Sequence, residues 1–215
     1  MKLVVFDVDG TLVDSQNHIV GAMGFAFQAI GAPCPPRADI LGIVGLSLPQ
    51  AMARLAPGAD IEALVAAYKS SFSHMRADEA SPLYPGARDV LELLAARDDT
   101  LLGVATGKSR KGLAHILAAH DLAGFFATTH VADDHPSKPH PSMLLRAMAE
   151  AGTTPQDTVI IGDTSFDMAM GHAAGVSCIG VSWGYHPVAD LAQATTLIDR
   201  FDRLPAALDT LWRVA

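Results

Sequence analysis

The chain begins with a short apolar run, "KLVVF", and then places two aspartates one residue apart, Asp7 and Asp9, directly before Gly10. Two carboxylates at the end of a buried strand repel each other and lose hydration, so their pairing needs a chemical reason. Three other stretches end in similar residues. "LLGVAT" closes with Thr106, followed by Gly107; "TVIIGD" closes with Asp163, and Asp167 follows four residues later; "HPSKPHP" carries Lys138. If the apolar runs are parallel strands of one sheet, their carboxyl ends share an edge, which is where open α/β sheets bind ligands. That edge would gather four carboxylates, one hydroxyl and one ammonium. A hard divalent cation with oxygen ligands balances such a cluster, and Mg²⁺ typically takes one or two carboxylates together with phosphate and water.

The elements that position these residues are legible as a rhythm. Apolar runs near residues 2, 101, 158 and 177 each lead through a turn into a segment of helical period, with a weaker run near 127 and "TTLI" near 195 as an edge candidate. Their hydrophobicity is continuous rather than alternating, which predicts strands covered on both faces, as in a parallel sheet. Between them, Leu113, Ile116 and Leu117 repeat at helical spacing after a cap at Ser109, and Pro141 starts a helix with Leu144, Leu145 and Met148 inward. Gly175 stands where a helix end needs a left-handed residue. The fold predicted is α/β, a doubly wound, Rossmann-like parallel-sheet core.

Residues 14–81 break the rhythm. No strand is evident there, and an apolar stripe runs from Ile61 through Leu64, Val65 and Tyr68 to Phe72 at helical period, while Met23, Phe25, Phe27 and Ile30 read as core of the same unit. This segment is predicted to be a small all-helical domain inserted after the first strand, leaving residues 1–13 and 82–215 as the core domain.

Composition sets the outer bounds. The 215 residues are 50% apolar and 18% charged, an ordinary globular balance. The net charge of −8, with no basic run, argues against nucleic-acid binding. No stretch is long and apolar enough to span a membrane, and Cys34 and Cys178 form no CxxC motif, so the protein is expected in the cytoplasm with reduced thiols.

Taken in order, "DVDGT" (residues 7–11), "ATG" (105–107), "KPHP" (138–141) and "GDTSFD" (162–167) resemble the four motifs of the haloacid dehalogenase-like hydrolase superfamily. The helical insertion, "VADDHPSKPHP" and "WGYHP" are similar to the subfamily that contains phosphoglycolate phosphatases, in which the insertion is a cap domain. The resemblance implies a Mg²⁺-dependent phosphatase of a small phosphorylated metabolite. In it Asp7 is the nucleophile that forms an aspartyl-phosphate, and Asp9 is the acid and then the base. The Asp7 carboxylate, the Asp9 backbone carbonyl and the Asp163 carboxylate hold the metal, with Asp167 behind them orienting water or Lys138. Thr106, Gly107 and Lys138 bind the phosphoryl group. Gly10 is expected to turn the chain so that both N-terminal acids reach phosphorus from different sides.

Asp9 favours phosphoryl transfer over dehalogenation, which needs no acid two residues after the nucleophile. A pyrophosphatase, a sugar phosphomutase or a catalytically silent phosphate-sensing protein remain alternatives. Lys108 reads as a solvated cation, with a contact to substrate as the other reading; Arg110 and Lys111 read as surface charges. The histidines show no zinc-site spacing and read as surface or structural, with His18 a candidate to approach substrate. The substrate loop is placed at residues 41–49, "LGIVGLSLP", which has no cation for a second anionic end. Arg37, Arg54, Lys69 and Arg76 lie elsewhere in the helical segment.

Overall fold

The computed structural model describes residues 1–71 and 81–214. In chain order the elements are β1 (Lys2–Phe6), α1 (Gln16–Ala29), α2 (Arg37–Leu41), α3 (Leu48–Leu55), α4 (Ile61–Ser71), α5 (Ala87–Ala95), β2 (Thr100–Thr106), α6 (Arg110–Ala119), β3 (Phe126–Val131), α7 (Ser142–Ala151), β4 (Thr158–Gly162), α8 (Ser165–Ala174), β5 (Ser177–Val181), β6 (Thr196–Ile198) and α9 (Leu204–Val214). The six strands form one sheet in the order β3-β2-β1-β4-β5-β6, and every pairing is parallel. The expected strands therefore form, and "TTLI" lies at an edge.

Strand β1 shows why its sequence is apolar throughout. Val4 and Phe6 pack on one face of the sheet with Leu91 and Leu94 of α5, Ile116 of α6 and Leu208 of α9. Leu3 and Val5 pack on the other with Leu144 and Met148 of α7 and Met168 of α8. A side-chain period of two sends neighbours to opposite faces, and both faces are covered. The order reverses between β2 and β4, the two neighbours of β1, so the switch point lies at the end of the strand that carries Asp7.

The helix starts follow local chemistry. The Ser109 hydroxyl accepts from the Gly112 amide at the start of α6, and Thr164 with Asp167 forms a reciprocal capping box on α8. Gly175 ends α8 with φ 72°, as expected. One inward assignment fails: α7 buries Met143, Leu144, Ala147 and Met148, whereas Leu145 is exposed. At about 100° per residue the buried arc is centred between residues 143/144 and 147/148, and position 145 falls past its edge.

Helices α1–α4 pack around their own apolar cluster, with Met23, Phe27, Ile40, Met52 and Leu64 buried. Phe25, expected in that core, is exposed, because α1 turns residues 19, 22, 23, 26 and 27 inward. The Phe72 end of the predicted stripe, His74 and Arg76 lie outside the described residues. The chain leaves toward these helices and returns along two antiparallel segments, joined by Asp14 N–H to Pro82 O and Tyr84 N–H to Leu12 O, both 2.9 Å. Among the described residues no helix is long and apolar enough to cross a membrane.

The helical segment rests on the strand ends. The Ser47 amide donates to the Ser137 hydroxyl at 2.7 Å, and the His186 ring donates to the Gly42 carbonyl at 3.2 Å. A Cβ at Gly107 would lie 2.6 Å from Leu46 O and 2.7 Å from Gly45 O, so only glycine admits this approach. Gly107→Ala is therefore expected to lift residues 43–47 while sparing the separate cores. Amide hydrogen exchange there should quicken several-fold, while the melting temperature falls by no more than about 4 °C, the equivalent of roughly 1 kcal/mol in a chain of this size. Unchanged exchange at these amides would refute the close approach.

Candidate active site

Asp7 continues the β1 ladder by donating its amide to Ile161 O at 2.9 Å, which fixes its backbone at the switch point. Its side chain is buried; Oδ1 accepts from Lys138 Nζ at 2.8 Å, and Oδ2 has no hydrogen-bond partner. Lys138 is 0% exposed and donates also to Asp167 Oδ1 at 2.6 Å. The other Asp167 oxygen accepts from the Thr164 amide at 3.1 Å and its hydroxyl at 2.6 Å, so the helix cap aims this carboxylate at the lysine. Asp163, just past β4, accepts from the Thr11 hydroxyl at 2.9 Å through Oδ1 and from the Tyr185 amide at 2.8 Å through Oδ2. Asp7, Asp163 and Asp167 each offer a carboxylate oxygen within 4.8 Å of the other two.

The charges of this cluster do not balance. Three buried carboxylates face one ammonium. Burial raises the Asp7 carboxyl to about 7; Lys138 opposes that shift and Asp167 adds to it. Burial also holds Asp163 well above the ordinary carboxylate range, reinforced by Asp167 and Asp7. Burial pulls the Lys138 ammonium down, but the adjacent carboxylates of Asp167 and Asp7 outweigh it and leave it above its ordinary value. The raised carboxyls, the unpartnered Asp7 oxygen and the all-oxygen donor set fit a hard divalent ion. Asp7 and Asp163 would be its carboxylate ligands, with Asp167 already committed to Lys138 and Thr164.

Asp9 belongs to a different neighbourhood. Gly10 has φ +86°, and a Cβ there would lie 2.2 Å from Asp163 Oδ2, so the turn after Asp9 needs glycine both for its conformation and for the approach of β4. Just ahead of this turn, Asp9 stands apart from the acidic trio. Lys108 Nζ donates to its two oxygens at 2.7 and 3.0 Å, and the Ser15 hydroxyl donates to Oδ1. Tyr185 OH accepts from the Ser15 amide at 2.9 Å and lies 3.1 Å from the Ser15 hydroxyl. Tyr68 of α4 keeps its phenolic proton because of burial and, secondarily, the charge of Asp9, which places it on the same side.

Thr106 is buried at the end of β2, and its hydroxyl accepts from the Lys108 amide at 3.2 Å; Gly107 follows beneath the carbonyls of residues 45 and 46. Asp7, Asp163, Asp167 and Lys138 thus meet in one cluster, with Asp9 anchored beside it by other partners. His18 instead bonds the Ser81 hydroxyl through Nδ1 at 2.7 Å, where the chain returns from the helices. The solvated reading of Lys108 is corrected by its ion pair with Asp9. Ser15 and Tyr185 were not singled out either, although Tyr185 lies within "WGYHP"; only the reversal of the chain at Gly10 brings them together.

Comparison with known proteins agrees with this geometry. A Dickeya dadantii protein named "Probable phosphatase IndB" is 35% identical over 99% of this chain and 96% of its own length. The phosphoglycolate phosphatase of Pseudomonas syringae pv. tomato is 31% identical over 97% of this chain and 80% of its own. CbbY from Rhodobacter sphaeroides, solved in complex with phosphate, superposes with a TM-score of 0.82 at 25% identity, covering 97% of this chain and 99% of that one. A haloacid dehalogenase-like family protein from Streptococcus pneumoniae superposes at 0.85 with 27% identity, covering 96% and 98%. The haloacid dehalogenase-like hydrolase family model matches residues 4–181, from the first strand through the fifth, and the chain belongs to that family.

Proposed function

We propose that the protein is a cytoplasmic, Mg²⁺-dependent phosphatase of a small phosphorylated metabolite, phosphoglycolate-like, and that residues 14–81 form a cap over its active site. The observation that carries the reading is the Asp7 carboxylate, with one oxygen on a fully buried lysine and the other unpartnered, beside two further buried carboxylates. Two relatives that span nearly all of this chain bear phosphatase names.

In this reading Asp7 attacks phosphorus, the bond from phosphorus to the leaving oxygen breaks, and Asp9 gives that oxygen a proton. Water then gives a proton to Asp9 and attacks phosphorus; the bond to Asp7 breaks and inorganic phosphate is released. Lys138 neutralises the charge building between nucleophile and phosphoryl oxygens, while the Thr106 hydroxyl and Gly107 amide hold those oxygens. Asp7 and Asp163, with the Asp9 carbonyl, would hold Mg²⁺, which supplies Lewis-acid neutralisation of the phosphoryl charge. Asp167 keeps Lys138 aimed at Asp7 through its 2.6 Å bond. The helical segment excludes water at the first step, since its loop lies over Gly107.

Phosphate release from a panel of phosphorylated metabolites, phosphoglycolate included, tests this directly. Wild type with Mg²⁺ should turn over, EDTA should stop it, and Asp7→Asn should leave no measurable release. Asp9→Asn should fold normally and lose about 10²–10⁴-fold in kcat, the usual worth of general acid–base catalysis. A wild type that binds Mg²⁺ and releases phosphate from nothing in the panel would replace the enzyme by a phosphate sensor.

The cation site is testable without turnover. The folded-state value of about 7 for Asp7 lies above the ordinary 3.8, so folded protein without a cation keeps a proton that the unfolded chain has released. That source of stability is complete below about pH 4 and is lost as pH climbs to about 7. The rise in melting temperature on adding Mg²⁺ should therefore be small near pH 5, grow toward pH 7 and then level off. Asp163→Asn should abolish it. A rise that is flat across this range, or that survives Asp163→Asn, would overturn the ligand assignment.

A further inference from the structure

A two-carbon substrate with a carboxylate tail needs a cation near its leaving oxygen, and among the described residues the helical segment offers none there. Arg37 is exposed and bonded to Gln16 and Asn17. The Arg54 guanidinium lies 5.3 Å from the centre of the Phe166 ring. Lys69 is exposed and lines a shallow apolar pocket with Pro49, Ile61 and Val65. In the core, Lys138 is bound to Asp7 and Asp167. Lys108 differs from all of these, because its side chain is 17% exposed, faces Asp9 and leaves the strand end two residues after Thr106.

We propose that Lys108 is the specificity-determining residue for a second anionic group on the substrate, and that it binds this group by leaving Asp9. The proposal rests on the phosphatase reading, which fixes the geometry: the acid that protonates the leaving oxygen must stand on the leaving-group side, so the substrate's tail lies beside Asp9 and hence beside Lys108. In a substrate of two or three carbons the distal carboxylate or phosphate sits only a few bonds from that oxygen. Its arrival exchanges one ion pair for another. Asp9, still bonded to Ser15, is then free to face the leaving oxygen. A substrate with a neutral tail offers no exchange. It meets an Asp9 whose two oxygens are both occupied by the Lys108 ammonium.

Lysine suits this task. Its compact charge on a flexible four-carbon stem can swing between neighbouring carboxylates, whereas a planar guanidinium locks onto one. The Ser15–Tyr185 contacts hold Asp9 independently of Lys108, so the cation can leave without releasing the acid from its place.

The test pairs phosphoglycolate with 2-hydroxyethyl phosphate, which has the same two-carbon chain and a neutral tail, and measures kcat/KM for wild type, Lys108→Met and Lys108→Arg. Wild type should favour phosphoglycolate at least tenfold. Lys108→Met should cut that ratio about 10–100-fold, the usual scale for losing one charge-assisted pair, with phosphoglycolate KM rising most. Lys108→Arg should keep a preference above that of Lys108→Met, because the charge stays, but lose kcat on phosphoglycolate, because the guanidinium locks onto Asp9. Mg²⁺-induced stabilisation of each variant confirms an intact fold and metal site. Equal wild-type rates on the two substrates overturn the proposal, and this arm needs no variant to fold. So does a Lys108→Met variant that slows both substrates by one common factor, which would leave Lys108 as a holder of Asp9 only. A wild type that releases phosphate from neither substrate nor any other phosphomonoester overturns the phosphatase reading itself, and this proposal with it.

Discussion

A lysine with no exposed surface must be held by charge, and Lys138 is held by two carboxylates from different elements, Asp7 after β1 and Asp167 on α8. Removing either partner from such a pair leaves an uncompensated buried charge, at a cost of roughly 3–5 kcal/mol. The contact therefore locks three stretches of chain, separated by 131 and 29 residues, into one geometry. The rest of the site follows from it. The capping box on α8 aims Asp167, and the β1 ladder fixes Asp7. Both sheet faces are sealed with apolar side chains, so water cannot solvate the cluster from below.

The same burial creates the need for a cation. One ammonium cannot neutralise three carboxylates, and the protein alone answers the surplus by raising carboxyl affinities for protons. A protonated carboxyl is a poor nucleophile, so in the proposed reaction positive charge in place of the proton would favour attack by Asp7. On the proposed reading, folding stability and nucleophilicity pull in opposite directions at Asp7, and a divalent ion would satisfy both. Such tension between local stability and chemistry is expected where a fold carries its function.

Much of this was legible in the sequence because it depends on residue type and order. Continuous apolar runs gave the strands, and the acids, hydroxyl and lysine at their ends assembled at the expected edge. What escaped depends on angle rather than order. Leu145 and Leu144 are equally apolar, yet one turn step separates a buried from an exposed side chain. Phe25 fails likewise against Met23 and Phe27. Lys108 stands beside Arg110 and Lys111 in sequence and reads with them as surface charge. The chain's turn at Gly10 carries Asp9 toward it, and no local pattern encodes that meeting. Ser15 and Tyr185, 170 residues apart, meet for the same reason.

The two N-terminal acids are thereby divided by their counter-charges. Asp7 stays in line with β1 and takes Lys138, deep in the core and sealed from water. Asp9, just ahead of the glycine turn, takes Lys108, and its side-chain exposure is 10% rather than 1%. A nucleophile benefits from a fixed, permanent cation, because its geometry must not change as charge moves onto phosphorus. In the proposed reaction Asp9 is an acid and then a base, which needs a partner it can lose and regain. One lysine locked between two carboxylates and another on a single, partly exposed one would suit these two proposed roles with the same residue type, and each aspartate faces its own ammonium although the charge of Asp9 still adds to the rise at Asp7.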